Sequence, residues 1–475
     1  MNGEEIISID VEEPSRLSNV VMPSDRTEEV TVVEQSPIDQ QTEVNYRIWK
    51  KNAPFLYDYI TTHSLLWPSL TVQFFPDLEK PLPKEARLDP FQDFKKTDAN
   101  EPKSENEVSI QRILLGTFTL GQSTDSISIL QLPYYTNLNK NLTIDKLDYN
   151  HEKEEFELTK VAKKKINVLQ KINHWGDVNK LRYMPQNPDV IASSNNLGNL
   201  VIYDRTKHAS FKNSLIGEDT EINKPQLHLI NEWNLSDSDI FAIDWNKQKE
   251  GVIVSANMEG NINLYDIKSK FTSKDVQTIN DSQNFSNSSI AINDIEWIPN
   301  HDSIFTFVDD QGYIKLLDVR LPEHQLLILQ HQKSDKGINS VSVNPGNSAC
   351  LATGDIDGII DVWDIRMFGS GNANSVYSIK NQHQGSITQV KWHPKYHNIL
   401  ASSSSDKLVK IFDLSTIEGE EDEEGLIFTH AGHMLGVNDL DWSLHDDWLM
   451  ASVADDNSLH VWKPSKQIVK HYETV

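Results

Sequence analysis

An all-β ring built from a repeated unit is the fold class this sequence predicts, and three observations predict it. A phrase recurs: IFAIDWNKQKEGVIVSANMEGNINLYD (240–266), INDIEWIPNHDSIFTFVDDQGYIKLLD (292–318) and ITQVKWHPKYHNILASSSSDKLVKIFD (387–413) each read as strand, turn, strand, tight turn, strand. Two apolar or aromatic residues and an Asp close the unit at Asp204, Asp266, Asp318, Asp364 and Asp413, with Lys463 in the last equivalent place. The period is roughly 45 residues, stretched by loop insertions. Finally, WPSLTVQFFPD (67–77), QRILLGTFTLG (111–121) and SISILQLP (126–133) add strands for a less regular unit to the six that repeat. Seven units of four strands cannot stand alone, because each exposes two faces and two edges. Closing them into a ring covers both. The expectation is a seven-bladed WD40 β-propeller with an N-terminal α-helix.

The elements follow in order. Residues 1–40 are acidic and polar and predict a disordered arm, since they carry too little apolar surface to offset ordering entropy. Residues 41–64 predict a helix packed on the propeller's side: Val44, Ile48, Trp49, Phe55, Leu56, Tyr59 and Ile60 recur at helical spacing, with a kink or restart at Pro54. The propeller spans 65–464, and 465–475 form a C-terminal tail. The stretches 78–108, 134–168, 206–226, 271–289 and 415–425 read as solvated loops, and Lys160, Lys163, Lys164 and Lys165 as a solvated basic cluster.

Composition narrows the function. With a formal charge of −26, the chain lacks the basic footprint of a protein that binds nucleic acid or an anionic membrane; a basic partner is favoured. No apolar run is long enough to span a bilayer, and the first residues are acidic where a signal peptide would be basic and then apolar. The reading is a soluble intracellular protein. The single cysteine, Cys350, excludes a disulfide framework within the chain and a cysteine-rich zinc site; it is expected to pack in a strand.

Motifs for a P-loop, a zinc-protease helix, a nucleophile elbow and an EF-hand are absent from the sequence. His393 and His397 read as surface-loop histidines, because Pro394 prevents the helix that would bring them together. FGSGNAN (368–374) reads as a flexible loop. His383, Ser402 and Asp406, and again His433, Ser452, Asp456 and Trp462, imitate a catalytic triad by residue type. They recur with the blade, as Thr353, Asp357 and Trp363 do in part, so they are assigned to a structural hydrogen-bond network. Leu197, Glu259 and Gln311 stand at the turn-Asp place of the second to fourth blades and predict an incomplete network there. The chain is read as a protein without catalytic residues, metal or cofactor.

Four phrases are not general propeller grammar: IWKKNAPFLYDYITTHSLLWPSLTVQFFPD (48–77), LRYMPQNPDVIA (181–192), YDRTKH (203–208) and FTHAGHMLGVNDLDW (428–442). Through them the chain resembles the histone-binding WD-repeat family that includes the retinoblastoma-binding proteins. Residues 432–464 look most like the fungal small subunit of chromatin assembly factor 1. The resemblance implies a chaperone of histones H3–H4 in nucleosome assembly coupled to DNA replication and repair. It would be a monomeric chain working with the factor's larger subunits, in the nucleus and also in the cytoplasm. Two other roles compete. One is the accessory subunit of a type B histone acetyltransferase or another chromatin-modifying complex. The other is a ubiquitin-ligase substrate receptor, suggested by Asp318/Arg320 and Asp364/Arg366.

The resemblance further implies a side groove gripping the first helix of histone H4. Its anchors would be Phe55, Leu56, Tyr59 and Ile60 beside Leu426, Ile427 and Phe428, with Glu420, Glu421, Asp422, Glu423 and Glu424 as an acidic rim. This acidic loop is shorter than the family's usual form and lacks its Pro-Pro pair. A second site on the central face, for the H3 tail or partner peptides, maps to Asp177, Asn179, Asp239, Phe241 and Asn339. Asn293, Ser386 and Thr388 depart there from the family's acidic and aromatic residues.

Overall fold

Strand edges dictate the architecture: seven four-stranded antiparallel sheets stand side by side, each giving one face to its neighbour. The computed structural model describes residues 39–79, 108–135, 148–150, 155–157, 166–208, 227–230, 238–267, 276–280, 290–321, 327–333, 335–368, 374–417 and 425–470. From the innermost strand outward, blade 1 is Val72–Glu79, Val108–Gly116, Ser126–Tyr135 and Asn167–Asn173. Blade 2 is Val178–Met184, Asn187–Asn195, Asn199–Asp204 and Leu227–Ile230, and blade 3 is Ile240–Trp245, Val252–Asn257, Asn261–Asp266 and Val276–Asn280. Blade 4 is Ile292–Trp297, Ile304–Asp309, Tyr313–Asp318 and Leu327–Gln332, and blade 5 is Ile338–Val343, Cys350–Asp355, Ile360–Asp364 and Tyr377–Ile379. Blade 6 is Ile387–Trp392, Ile399–Ser404, Val409–Asp413 and Leu426–His430. Blade 7 is Val437–Trp442, Met450–Ala454, Ser458–Pro464 and, from the other end of the chain, Tyr57–Ser64.

That last strand corrects the expected helix over 41–64. The helix, α1, covers Gln40–Leu56, and Tyr57–Ser64 is extended, running antiparallel to Ser458–Pro464 with Ile60 opposite Trp462. Ser458–Pro464 would otherwise be an edge with unpaired backbone groups. Pairing it with the N-terminal strand satisfies them and ties the chain's two ends together.

The core is divided as the ring demands. Each interface between consecutive blades holds its own apolar cluster, such as Phe305, Phe307 and Trp297 against Ala242 and Val254 between blades 3 and 4. Blades 7 and 1 share Leu449, Val453, Val461, Val72, Phe74 and Leu130. Cys350 lies in its strand, partly buried against the cluster between blades 5 and 6; burial pushes its thiol up to about 11.

Around the centre, the inner strands are sheet edges whose backbone groups face the next blade, and side chains answer them. Asn179, Asn293, Asn339, Thr388 and Asn438 each donate to a carbonyl on the following blade: Ile240, Ile338, Ile387, Val437 and Ser69. One residue further, Asp294 accepts the Val341 N–H, Ser340 the Val390 N–H and Asp439 the Val72 N–H. Tight turns between the second and third strands use glycine where φ is positive. At Gly260 (φ 83°) an added Cβ would also lie 2.6 Å from the Ile290 carbonyl oxygen.

Candidate functional site: a groove beside the N-terminal helix

Helix α1 begins at Asp39, whose carboxylate accepts the Thr42 N–H at 2.5 Å; that bond holds the Asp39 carboxyl below its usual value. Glu43 and Arg47 pair at 2.6 Å one turn apart. Pro54 sits in the last turn, and the backbone is extended from Tyr57. Two apolar stripes result. Trp49 is buried, with Tyr46, Ala53 and Leu56 beside it against blades 6 and 7. Val44, Ile48 and Phe55 lie within about 40° of one another on the opposite side. They are 47 %, 54 % and 47 % exposed.

Between α1 and blade 6 runs a groove of about 380 Å³ lined by Asn45, Tyr46, Ile48, Trp49 and Leu56 on one side and by Lys407, Leu408, Thr429 and Ala431 on the other. Lys407 closes one end by donating to the Thr42 hydroxyl at 2.5 Å. The strand Leu426–His430 runs alongside, and Gly425 at its start receives the chain from the acidic stretch. Glu420, Glu421, Asp422, Glu423 and Glu424 lie outside the described residues, as do residues 1–38 and Lys160, Lys163, Lys164 and Lys165.

The expected anchors divide. Phe55 is exposed and Leu56 lines the groove, whereas Ile60 and Ile427 are half-buried against the core of blades 6 and 7. Tyr59 is not a groove residue: as a strand residue it points into the cluster shared by blades 7 and 1, and its hydroxyl bonds the Pro133 carbonyl at 3.4 Å. Phe428 is also corrected, being buried beneath Tyr57 and Trp462, and Leu426 packs towards blade 5. Val44, Ile48, Lys407 and Leu408 were missed as site residues. The outward stripe of Val44 and Ile48 was legible as a second helical face, but the Lys407–Leu408 turn is brought in only by tertiary packing.

The repeated polar sets are structural stitches. His383 bonds Asp406 at 2.9 Å and Ser402 at 2.8 Å. His433 bonds Ser452 at 2.8 Å, and Trp462 donates to the same hydroxyl at 3.2 Å. The second His433 nitrogen meets Ser458 at 2.9 Å, with Asp456 further off at 3.8 Å. Trp363 donates to Thr353, while Asp357 pairs with Lys336 instead. Blade 2 has a partial set that the turn residue Leu197 concealed: His174 bonds Ser193 at 2.8 Å.

On the central face, Asn179 and Asn339 commit an amide N–H to the ring, as described above, and Asp177 accepts from Thr119, Leu120 and Asn196. Their expected role as ligand positions is therefore corrected to ring closure. Asp239 and Phe241 remain half-exposed, and burial together with neighbouring Asp177 raises the Asp239 carboxyl. The channel below neutralises itself. Lys180 reaches across from blade 2 to the Gln389 side chain on blade 6 at 3.0 Å. Burial pushes the Lys180 ammonium down and would push Asp439 up, but Lys391, Arg182 and Lys180 outweigh it and hold Asp439 below its usual value.

Other candidates resolve into packing. His393 is fully buried, not a surface residue: it stacks near Trp442 and accepts the Lys395 and Tyr396 N–H groups, and burial pushes it down to about 4. Arg320 and Arg366 fold back onto Asp318 and Asp364 at 2.6 and 2.5 Å.

Comparison with known proteins agrees with this architecture. Residues 44–136 match the family described as histone-binding protein RBBP4 or the equivalent component of the CAF1 complex, and residues 324–364, 374–413 and 425–463 match WD domain, G-beta repeats. The chain is 34 % identical over 454 residues to histone-binding protein MSI1 of Saccharomyces cerevisiae, covering 92 % of this chain and 96 % of that protein. It is 27 % identical over 456 residues to histone acetyltransferase type B subunit 2 of Debaryomyces hansenii, covering 93 % and 96 %. A seven-bladed ring with an N-terminal helix docked on its side and a relative matched along nearly its whole length lead to one conclusion: the chain belongs to the WD-repeat family of RBBP4-type histone-binding proteins.

Proposed function

We propose that this protein is the non-catalytic, histone-binding small subunit of a chromatin assembly factor 1 complex, a nuclear chaperone that holds H3–H4 through the first helix of H4. The observation that carries the reading is the groove between α1 and blade 6. Its apolar wall includes Ile48 and Leu56, and the sequence joining Ile417 to Gly425 at its far end is almost entirely acidic. An amphipathic basic helix is the ligand that satisfies both features. Each buried apolar anchor is worth roughly 1.5–3 kcal/mol gross, against about 0–1 kcal/mol for a rim ion pair. Affinity therefore comes mainly from the apolar wall, and the carboxylates contribute encounter rate and preference for a basic ligand. Relatedness to a type B acetyltransferase subunit favours a second reading, in which the same groove serves that enzyme.

The test is H3–H4 binding by the full chain. Replacing Ile48 and Phe55 together by Asp is expected to lower affinity at least about tenfold. Changing Glu420, Glu421, Asp422, Glu423 and Glu424 to their amides is expected to lower it less, and only at low salt. Unimpaired binding by both variants rejects the groove. Affinity purification separates the complexes: the larger assembly-factor subunits should be recovered, and recovery of an acetyltransferase without them would favour the second reading.

A further inference from the structure

Beneath the groove lies a cluster of three buried histidines, His430, His433 and His460, that the proposed function does not use. His433 is fully engaged with Ser452 and Ser458, and its ring stacks on His460 with centroids 4.0 Å apart. Hydrogen bonds thus hold the cluster together. His430 and His460 belong to a different chain of contacts, which begins on α1. The Trp49 indole N–H donates to the Tyr57 hydroxyl at 2.8 Å; Tyr57 meets His430 Nδ1 at 2.7 Å, and His430 Nε2 meets His460 Nδ1 at 3.0 Å.

One assignment gives each contact a single proton. Tyr57 accepts from Trp49 and donates to Nδ1 of His430, whose Nε2–H then donates to His460. The direction is fixed by its first member, because an indole can only donate. A proton added to His430 Nδ1 or His460 Nδ1 has no acceptor and reverses a bond, and the new charge sits under the Trp49 ring, which stacks on His460 at 5.9 Å.

We propose that Trp49, Tyr57, His430 and His460 form a proton-sensitive latch that holds α1, one wall of the groove, against the propeller while both histidines are neutral. Its consequence for histone binding rests on the groove reading; the latch itself does not. The groups facing the pair are few. His430 sees His433 and His460, and His460 sees His433 and Asp456. Val409 and Thr62 lie opposite them on the adjoining strands, and Asp406 and Lys407 border the groove beside His433. Burial is the leading influence on both rings and pushes both well below the ordinary histidine value. The neutral form is the docked form.

Because the released helix uncovers rings that take up protons below their ordinary value of 6.5, acidification favours release. Each histidine adds about tenfold to the opening equilibrium per pH unit below that value, so up to about a hundredfold for the pair. Hydrogen exchange of the 40–56 amides in the full chain without histone, corrected for intrinsic rates, measures opening at pH 7.5 and 5.5. Wild type should open at least tenfold more at pH 5.5. His460→Gln, which keeps an amide in place of the ring but does not titrate, should lose about tenfold of that response. Tyr57→Phe should open more at both pH values. A wild-type opening that does not change with pH, or a full response in His460→Gln, overturns the latch. Histone binding at pH 7.5 judges the groove separately.

Discussion

Asp439 on blade 7 accepts the backbone N–H of Val72 on blade 1 at 3.0 Å, joining residues 367 apart in the chain across the seam where the ring closes. The same carboxylate takes the Leu440 N–H and faces Arg182 at 3.7 Å and Lys391 at 3.9 Å. Removing it with Asp439→Ala leaves buried cations and an edge N–H without their partner. A loss of about 3–5 kcal/mol in the free energy of urea unfolding is expected, and a loss under about 1 kcal/mol would show that the seam is held by apolar packing alone.

Ser452 and Ser402 occupy equivalent places but serve different numbers of partners. Ser452 satisfies both His433 and Trp462, whereas in blade 6 the aromatic residue is Phe412, which has no N–H to satisfy. Ser452→Ala should therefore cost more than Ser402→Ala, by about 1 kcal/mol within an overall range of roughly 1–3 kcal/mol. Thermal unfolding of the two variants side by side decides it; the reverse order would contradict the shared-hydroxyl account.

Asn339 distinguishes a ligand residue from a stitch. Its amide donates to the Ile387 carbonyl at 2.8 Å. Asn339→Ala is expected to lower stability by about 1 kcal/mol and to leave H3–H4 affinity unchanged in a titration. A drop in affinity with stability intact would return this residue to a binding role.

His393 gives the fold an acid limit. Burial lowers its folded value to about 4 from an ordinary 6.5, so the unfolded chain binds the proton more readily. The contribution to stability is complete above about pH 6.5 and is lost as pH falls through about 4, amounting to roughly 3 kcal/mol. Urea midpoints measured from pH 7 to pH 4 should fall, and His393→Gln should flatten that fall. An equal slope in both proteins would assign the acid sensitivity elsewhere.

Much of the ring was legible because a blade cannot bury its faces alone, so seven repeats imply closure. The strand Tyr57–Ser64 was not. Phe55, Leu56, Tyr59 and Ile60 satisfy a helical spacing, and nothing local reveals that an open edge at Ser458–Pro464, some 400 residues away, needs a partner. The groove was half legible. Phe55 and Leu56 could be picked out beside an acidic stretch, but Tyr59 and Phe428 look the same in sequence whether they face a ligand or the core.

By itself the sequence determined the repeat, the blade count, the family likeness and the acidic, basic-ligand-seeking character, since periodicity and charge are properties of the chain. Only the tertiary structure decided which amides are spent on the next blade, which aromatics are buried, and that three histidines from distant strands meet beneath α1. Those outcomes depend on which groups arrive opposite one another when the ring closes, and a polar side chain is written identically whether its partner is a ligand or the neighbouring backbone.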